Sequence, residues 1–152
     1  MLKRLRTTKL DETDRRIVEI LVGDARISLK ELGQRVKLSS PSVSERLRRL
    51  QQRGVIRSFT VELDPVALGY ELQAIVRIRP LPGKLQAVQR LIEEIPEFSE
   101  CDKVTGEDCF VGRLHLRSIA QLDQILDRLT DTAETNTAIV KAQTVRRRMP
   151  PL

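Results

Sequence analysis

Residues 38–54 have the sequence LSSPSVSERLRRLQQRG, which predicts a helix with one apolar and one basic side. Ser40 and Pro41 supply an N-cap and a first-turn proline, and Gly54 ends the helix. Apolar residues at the spacing i, i+4, i+7 predict the buried side: Val43, Leu47 and Leu50. The opposite side of this helix is therefore free to meet a partner.

Two shorter amphipathic helices precede it. Asp11 caps the first, whose apolar face is predicted to hold Ile17, Ile20 and Leu21. Ser28 caps the second, and Glu31 completes a capping box. The apolar stripe of this second helix is predicted to consist of Leu29, Leu32 and Val36. The second helix and the third helix are separated by only about four residues, which is typical of a helix-turn-helix.

The exposed side of the third helix carries small hydroxyl side chains near its start and arginines toward its end. Small side chains permit close approach to base edges, and arginine binds phosphate or guanine. The same residues also fit a solvated basic face that contacts only water. The DNA-binding candidates are Ser39, Ser40, Ser42, Ser44, Arg46, Arg48, Arg49 and Arg53.

Charge separates the two halves of the chain. Residues 1–60 hold 15 Lys and Arg against 7 Asp and Glu, whereas residues 61–152 hold 12 against 14. A basic half without a long amphipathic membrane helix favours a nucleic acid over lipid headgroups. We expect double-stranded DNA as the partner of the first half.

A strand is predicted over residues 55–63, which are β-branched and aromatic, and Asp64-Pro65 ends it. We therefore divide the chain into a helix-turn-helix DNA-binding domain with a connecting strand, residues 1–63, and a second domain, residues 64–152.

The second half alternates strands and helices. Strands are predicted over residues 72–79, 98–105, 109–116 and 137–145, with helices over 85–95 and after Ser118. The order βαββαβ predicts an α+β chain whose second domain is a ferredoxin-like sandwich with both helices on one sheet face. Ile75 and Val111 are expected on the other face, which predicts that this face meets another copy.

The turn Thr105-Gly106-Glu107-Asp108 joins two of these strands. Its backbone N–H groups, hydroxyl and carboxylates suit both charged ends of an amino acid. The alternative is an ordinary hairpin whose glycine supplies a positive φ.

Other classes of site find little support. Two cysteines, Cys101 and Cys109, and one histidine, His115, are too few for a Cys/His zinc site, so we expect no metal and no cofactor. The apolar runs are too short to cross a membrane, and the start of the chain does not resemble a secretory signal. We expect a cytoplasmic protein that is not an enzyme.

Taken together, these motifs resemble the Lrp/AsnC, or feast/famine, family of transcription regulators over nearly the whole chain. The residues that carry the resemblance are 10–17, 38–50, 54–56, 104–110 and 135–140. The resemblance implies a homodimer formed through the second domains that assembles into tetramers or octamers. It also implies an amino-acid effector bound between dimers by Thr105, Gly106, Glu107, Asp108, Thr135, Asn136 and Thr137. Cys109 stands where many relatives have an aspartate.

Two other functions fit the same architecture. One is DNA packaging with little sequence choice. The other is a tetrapyrrole-modifying enzyme, in which His115 would serve as the catalytic histidine. The main prediction is a sequence-specific transcription regulator whose assembly and DNA binding respond to a small effector.

Overall fold

The computed structural model of the chain describes residues 9–151, and their contacts form two compact units with the boundary between Glu62 and Leu63. The basic residues Lys3, Arg4 and Arg6 lie outside the described residues. Within residues 9–151, no helix is both long and apolar enough to span a bilayer.

The first unit contains α1 (Glu12–Gly23), α2 (Leu29–Val36) and α3 (Ser40–Gln52). Asp11 and Ser28 cap α1 and α2 as predicted, by accepting the backbone N–H of the residue three positions later. The capping box at Ser28 is only half formed, because the carboxylate of Glu31 pairs with Arg35. The three helices in this order form the predicted helix-turn-helix.

The N-cap of α3 is Ser39, so the prediction of Ser40 was wrong. Ser39 has an extended backbone and its Oγ accepts the N–H of Ser42 at 3.4 Å, while Ser40 is already the first helical residue. Pro41 lies in the first turn as predicted, where its missing N–H costs nothing. The shift by one residue leaves the predicted buried side in place: Val43 and Leu50 are fully buried.

The core of the first unit joins all three helices. Its most buried side chains are Ile17, Leu32, Val43 and Leu50. Leu29 was expected in this core and is instead 42% exposed. A single helical turn separates Leu29 from the buried Leu32, but Leu29 lies at the helix start, where no other helix covers it.

The predicted strand over residues 55–63 is absent. Val55 and Ile56 instead donate their backbone N–H groups to the carbonyl of Leu50 and so close the C-terminus of α3. Residues 57–63 are exposed and form no ladder with another described strand. High β-propensity forms a strand only where a neighbouring strand is available, and the four strands found within residues 9–151 all lie in the second unit.

The second unit has the order β1 (Leu72–Pro80), α4 (Leu85–Glu94), β2 (Phe98–Lys103), β3 (Phe110–Leu116), α5 (Ile119–Asp127) and β4 (Ala133–Ile139). The sheet has the strand order β2-β3-β1-β4, and every pair is antiparallel. This topology confirms the ferredoxin-like α+β fold.

Two strands, β2 and β4, differ from the prediction by more than one residue. β2 ends at Lys103 rather than Thr105, and β4 runs from Ala133 to Ile139 rather than over residues 137–145. β4 pairs with β1 from Pro80 to Ala74, and a last hydrogen bond joins Val140 to Gln73. Beyond that point β1 has ended, so the β-branched residues up to 145 have no partner strand.

The core of the second unit lies between one face of the sheet and the two helices. Strand residues on this face alternate with outward ones, and Ala74, Val76 and Ile78 are fully buried. Helices α4 and α5 contribute Val88, Ile92, Leu122 and Ile125. Leu85 and Ile119, at the helix starts, are 36% and 51% exposed. In the described part of this unit, both helices therefore cover the same face.

Candidate functional site

The start of α3 presents small hydroxyl side chains to the surface. Ser39, Ser42 and Ser44 are exposed, and Ser40 is half-buried. The hydroxyl groups of Ser39 and Ser42 lie 2.9 Å apart. Ser39, the N-cap at which α3 begins, therefore also sets the position of Ser42 on the exposed side.

The middle of α3 carries an exposed cluster of one carboxylate and two guanidinium groups. Arg48 donates to both oxygens of Glu45, at 2.7 and 2.9 Å, and Arg49 Nε donates to Oε1 of Glu45 at 3.0 Å. The hydrogen bonds from Arg48 lower the pKa of Glu45, and the same contact raises the pKa of Arg48. Both shifts favour the charged forms of Glu45 and Arg48 at neutral pH.

The other two arginines of the predicted DNA-binding set contact α1. Arg46 Nη1 donates to Asp11 Oδ2 and to Asp14 Oδ1, at 2.7 Å each. Arg53 donates to the carbonyl of Lys9 at 3.0 Å and lies 3.7 Å from Asp14. The structure thus gathers Ser39, Ser42, Ser44, Arg48 and Arg49 on the open side of α3, while Arg46 and Arg53 brace the helix.

A second polar cluster surrounds Arg79 on β1. Its guanidinium hydrogen-bonds Glu107 in the β2–β3 turn and lies 3.9 Å from Asp108 and 3.7 Å from Glu134 on β4. Gly106 in the same turn has φ +120°, a backbone conformation that favours glycine. Arg79 therefore connects the predicted turn to β4.

A shallow cleft of about 300 Å³ opens beside this cluster, lined by Arg77, Arg79, Asp108, Glu134, Thr135 and Asn136. Three residues of the predicted effector set line it: Asp108, Thr135 and Asn136. Glu107 reaches its edge through Arg79. Thr105 and Gly106 lie in the adjoining turn, whereas Thr137 pairs with the buried Val76 and its hydroxyl is buried without a hydrogen-bond partner.

Sequence reasoning missed Arg77, Arg79 and Glu134. The signal was available in part, because a charged residue at every second position of an otherwise apolar strand marks its exposed face. The residues that lie beside Arg77 and Arg79 could not be predicted, because they depend on the register between β1 and β4. This register places Arg79 opposite Glu134 and Arg77 opposite Asn136.

The two thiols and the histidine do not line the cleft beside Arg79. Cys101 and Cys109 are each half-buried and not bonded to one another, and burial raises the pKa of the Cys101 thiol. His115 lines a mostly apolar cleft of about 270 Å³ that also holds Tyr70 and Glu97.

Comparison with known families matches both units. Residues 10–57 match a winged helix-turn-helix DNA-binding domain, and residues 73–150 match the Lrp/AsnC ligand binding domain.

Similar proteins include the HTH-type transcriptional regulator LrpC of Bacillus subtilis, which is 31% identical over 87% of this chain and 92% of its own length. LrpA of Mycobacterium tuberculosis is 36% identical over 84% of this chain and 86% of its own length. Among solved structures, B. subtilis LrpC has a TM-score of 0.85 at 29% identity and covers 92% of this chain and 100% of that one. The M. tuberculosis feast or famine regulatory protein Rv3291c, complexed with L-methionine, has a TM-score of 0.85 at 33% identity and covers 93% and 99%.

Proposed function

Because this chain belongs to the Lrp/AsnC family of DNA-binding transcriptional regulators, we propose that it binds DNA through the exposed side of α3 and responds to an amino acid bound beside Arg79. The proposal of DNA binding rests on the open side of α3, where three exposed serines precede Arg48 and Arg49. The relatives LrpC and LrpA are HTH-type transcriptional regulators, which supports a regulatory rather than an enzymatic role.

In this proposal each part of α3 has its own role. Ser39, Ser42 and Ser44 lie at the N-terminal end, the part of a recognition helix that approaches base edges in the major groove. Arg48 and Arg49 leave Glu45 and bind DNA phosphates. The neutralised phosphates then release their counterions. Arg46 and Arg53 act indirectly, since their contacts with Asp11, Asp14 and Lys9 hold α3 in position.

The test replaces Arg48 and Arg49 together with alanine and compares the variant with a matched one in which Arg15 and Arg16 of α1 are replaced. Both variants lose two exposed positive charges. The α3 variant is expected to bind every duplex more weakly and with a salt slope shallower by about two. Equal salt slopes for the two variants would contradict docking through α3. A wild-type affinity for selected duplexes equal to that for random DNA would instead indicate DNA packaging.

The effector site is proposed at the cleft around Arg79. The carboxylate of an amino acid suits the guanidinium of Arg79 or Arg77, and its ammonium group suits Asp108, Glu107 or Glu134. A relative at 33% identity has been solved with L-methionine, which supports an amino acid as the class of ligand. An incoming carboxylate competes with Glu107 for Arg79 and so acts on the turn that carries Gly106.

Calorimetry against the twenty amino acids tests this site. Gly106→Val is expected to abolish binding, because its backbone conformation disfavours a β-branched side chain and the turn adjoins the cleft. Gly83→Val is the control, since Gly83 also has a positive φ, of 77°, and lies in a different turn. Binding that survives Gly106→Val, or loss of binding in both variants alike, would remove the turn from the site.

The proposed assembly is a dimer through the sheet face that α4 and α5 leave uncovered, extended to tetramers or octamers. Support comes from Ile75 and Val111, which are half-buried side chains on that face of β1 and β3. An isologous dimer presents two copies of α3 to an inverted repeat in successive major grooves. A ligand that favours one assembly shifts the DNA-binding state.

A further inference from the structure

The centre of the proposed DNA-binding side of α3 is occupied by a carboxylate, that of Glu45. Glu45 follows the fully buried Val43 by two residues, and two residues correspond to about 200° around a helix. Its side chain therefore leaves the helix nearly opposite the core. Glu45 is the one acidic residue of α3, which also carries Arg46, Arg48 and Arg49.

Glu45 accepts hydrogen bonds from Arg48 and Arg49, the two arginines of the DNA-binding set that do not contact α1. Three N–H groups converge on its carboxylate, two from Arg48 and one from Arg49, at 2.7 to 3.0 Å. The Arg48 contact is bidentate, the geometry that a guanidinium also uses on phosphate. A DNA phosphate and Glu45 therefore compete for the same donors.

This arrangement contributes little to folding. The side chains of Glu45, Arg48 and Arg49 are 42%, 57% and 66% exposed, and exposed pairs of this kind stabilise a helix only weakly. Its larger effect falls on DNA binding, because a carboxylate that faces the phosphates is repelled unless it finds a hydrogen-bond donor. In the major groove, the donor that Asp and Glu accept from is the N4 amino group of cytosine.

We propose that Glu45 is a specificity-determining residue, which weakens binding to random DNA and accepts a hydrogen bond from a cytosine in the preferred site. The proposal rests on the proposed docking of α3. On random DNA, some of the hydrogen bonds from Arg48 and Arg49 to Glu45 remain, so the two arginines form fewer contacts with phosphates. On the preferred site, the carboxylate of Glu45 accepts a hydrogen bond from cytosine. Arg48 and Arg49 are then both free to bind phosphates.

The experiment uses the full chain and two kinds of duplex: those that the wild type selects from a pool with randomised cores, and unselected random duplexes of equal length. Glu45→Gln is compared with Glu19→Gln, which removes the same charge from an exposed ion pair with Arg16 on α1. Thermal unfolding of both variants checks that the fold is kept.

Glu45→Gln is expected to bind random duplexes about three- to tenfold more tightly, with a salt slope steeper by about one. The ratio of selected to random affinity is expected to fall about tenfold, and selection with the variant is expected to lose one preferred cytosine. Glu19→Gln is expected to keep the wild-type ratio.

Three outcomes would overturn the proposal in distinguishable ways. If the wild type selects a preferred sequence and Glu45→Gln keeps the same ratio and the same bases, Glu45 is only a surface ion pair. If both glutamine variants change the ratio equally, the effect is one of net charge. If the wild type binds neither kind of duplex, the proposed DNA docking fails together with this inference.

Discussion

Arg46 Nη1 on α3 lies 2.7 Å from Oδ1 of Asp14 on α1, and Asp14 is a buried carboxylate with only 6% of its surface exposed. A buried carboxylate requires a cation, because an uncompensated charge is costly in the protein interior. The sequence placed Arg46 among the DNA-binding candidates of α3. The contact between Arg46 and Asp14 joins α3, the proposed recognition helix, to α1.

Replacement of Arg46 by methionine is expected to lower the free energy of unfolding by about 1–3 kcal/mol, because Asp14 loses its nearest charged donor. The control is Arg35→Met, which removes an equally short pair with Glu31 on the surface of α2. That variant is expected to change stability by less than about 0.5 kcal/mol. Urea unfolding at neutral pH measures both, and equal losses would mean that Asp14 does not depend on Arg46.

A second contact of Arg46, its hydrogen bond to Asp11, predicts a pH dependence. The hydrogen bond from Arg46 lowers the pKa of Asp11, with a further contribution from the backbone N–H of Asp14. The folded chain therefore holds fewer protons on Asp11 than the unfolded chain as the pH falls toward 3.8, so stability present at neutral pH is lost on acidification. The urea midpoint of Arg46→Met is expected to fall less than that of the wild type between pH 6 and pH 3. A steeper fall in the variant would contradict this linkage.

The helix-turn-helix also depends on a close backbone approach at Gly33. A Cβ atom at this position would lie 2.5 Å from the backbone oxygen of Leu38, in the turn that leads to α3. Gly33→Ala is therefore expected to destabilise the chain by about 1–3 kcal/mol in urea unfolding. Gly23→Ala at the end of α1 meets no atom within 4 Å and is expected to be neutral or slightly stabilising. A neutral Gly33→Ala would mean that the turn relaxes without cost.

Lys37 ends α2 in a left-handed conformation, with φ 56° and ψ 44°. Glycine adopts this conformation without the steric cost that a Cβ atom imposes. Lys37→Gly is therefore expected to raise the free energy of unfolding by about 1 kcal/mol. Lys30→Gly, within the same helix, is expected to lower it by about the same amount. If Lys37→Gly destabilises the chain as Lys30→Gly does, the left-handed conformation of Lys37 is not strained.

The helices of the first unit could be predicted because each begins with a residue whose side chain accepts a backbone N–H, and this signal is local. The boundaries of β4 could not, because they follow from where β1 offers hydrogen bonds and not from the β-propensity of residues 137–145. The strand predicted over residues 55–63 failed for the same reason, since its propensity has no partner strand in the described chain.

The candidate sites divide in a similar way. Exposed serines and arginines on α3 follow from helical periodicity, so their side of the helix could be predicted. The engagement of Arg46 with Asp14, 32 residues away, and of Arg79 with Glu107, 28 residues away, depends on tertiary packing. Sequence reasoning therefore found the surfaces but could not tell which charged groups are already paired.

The uncovered sheet face leads to the last prediction, which concerns assembly. Ile75 lies opposite Arg113 and Val111 opposite Arg77, so two apolar side chains sit among charged ones at the middle of the β1–β3 ladder. If this face is buried between two copies, Ile75→Lys together with Val111→Lys places four unpaired charges in one isologous interface. The variant is expected to be a monomer of 17.4 kDa by light scattering at micromolar concentration, whereas the wild type is larger.

The matched control for assembly is Ile119→Lys, because Ile119 is 51% exposed at the start of α5, on the helix side of the sheet. This variant is expected to keep the wild-type mass. A wild type that is itself monomeric at this concentration would contradict the dimer. A double variant that keeps the wild-type mass would show that assembly uses another surface, and the exposed apolar residues Phe59, Val61 and Leu63 are then the next to be replaced. Loss of assembly in Ile119→Lys as well would mean that added charge alone disperses the oligomer, because that residue lies outside the proposed interface.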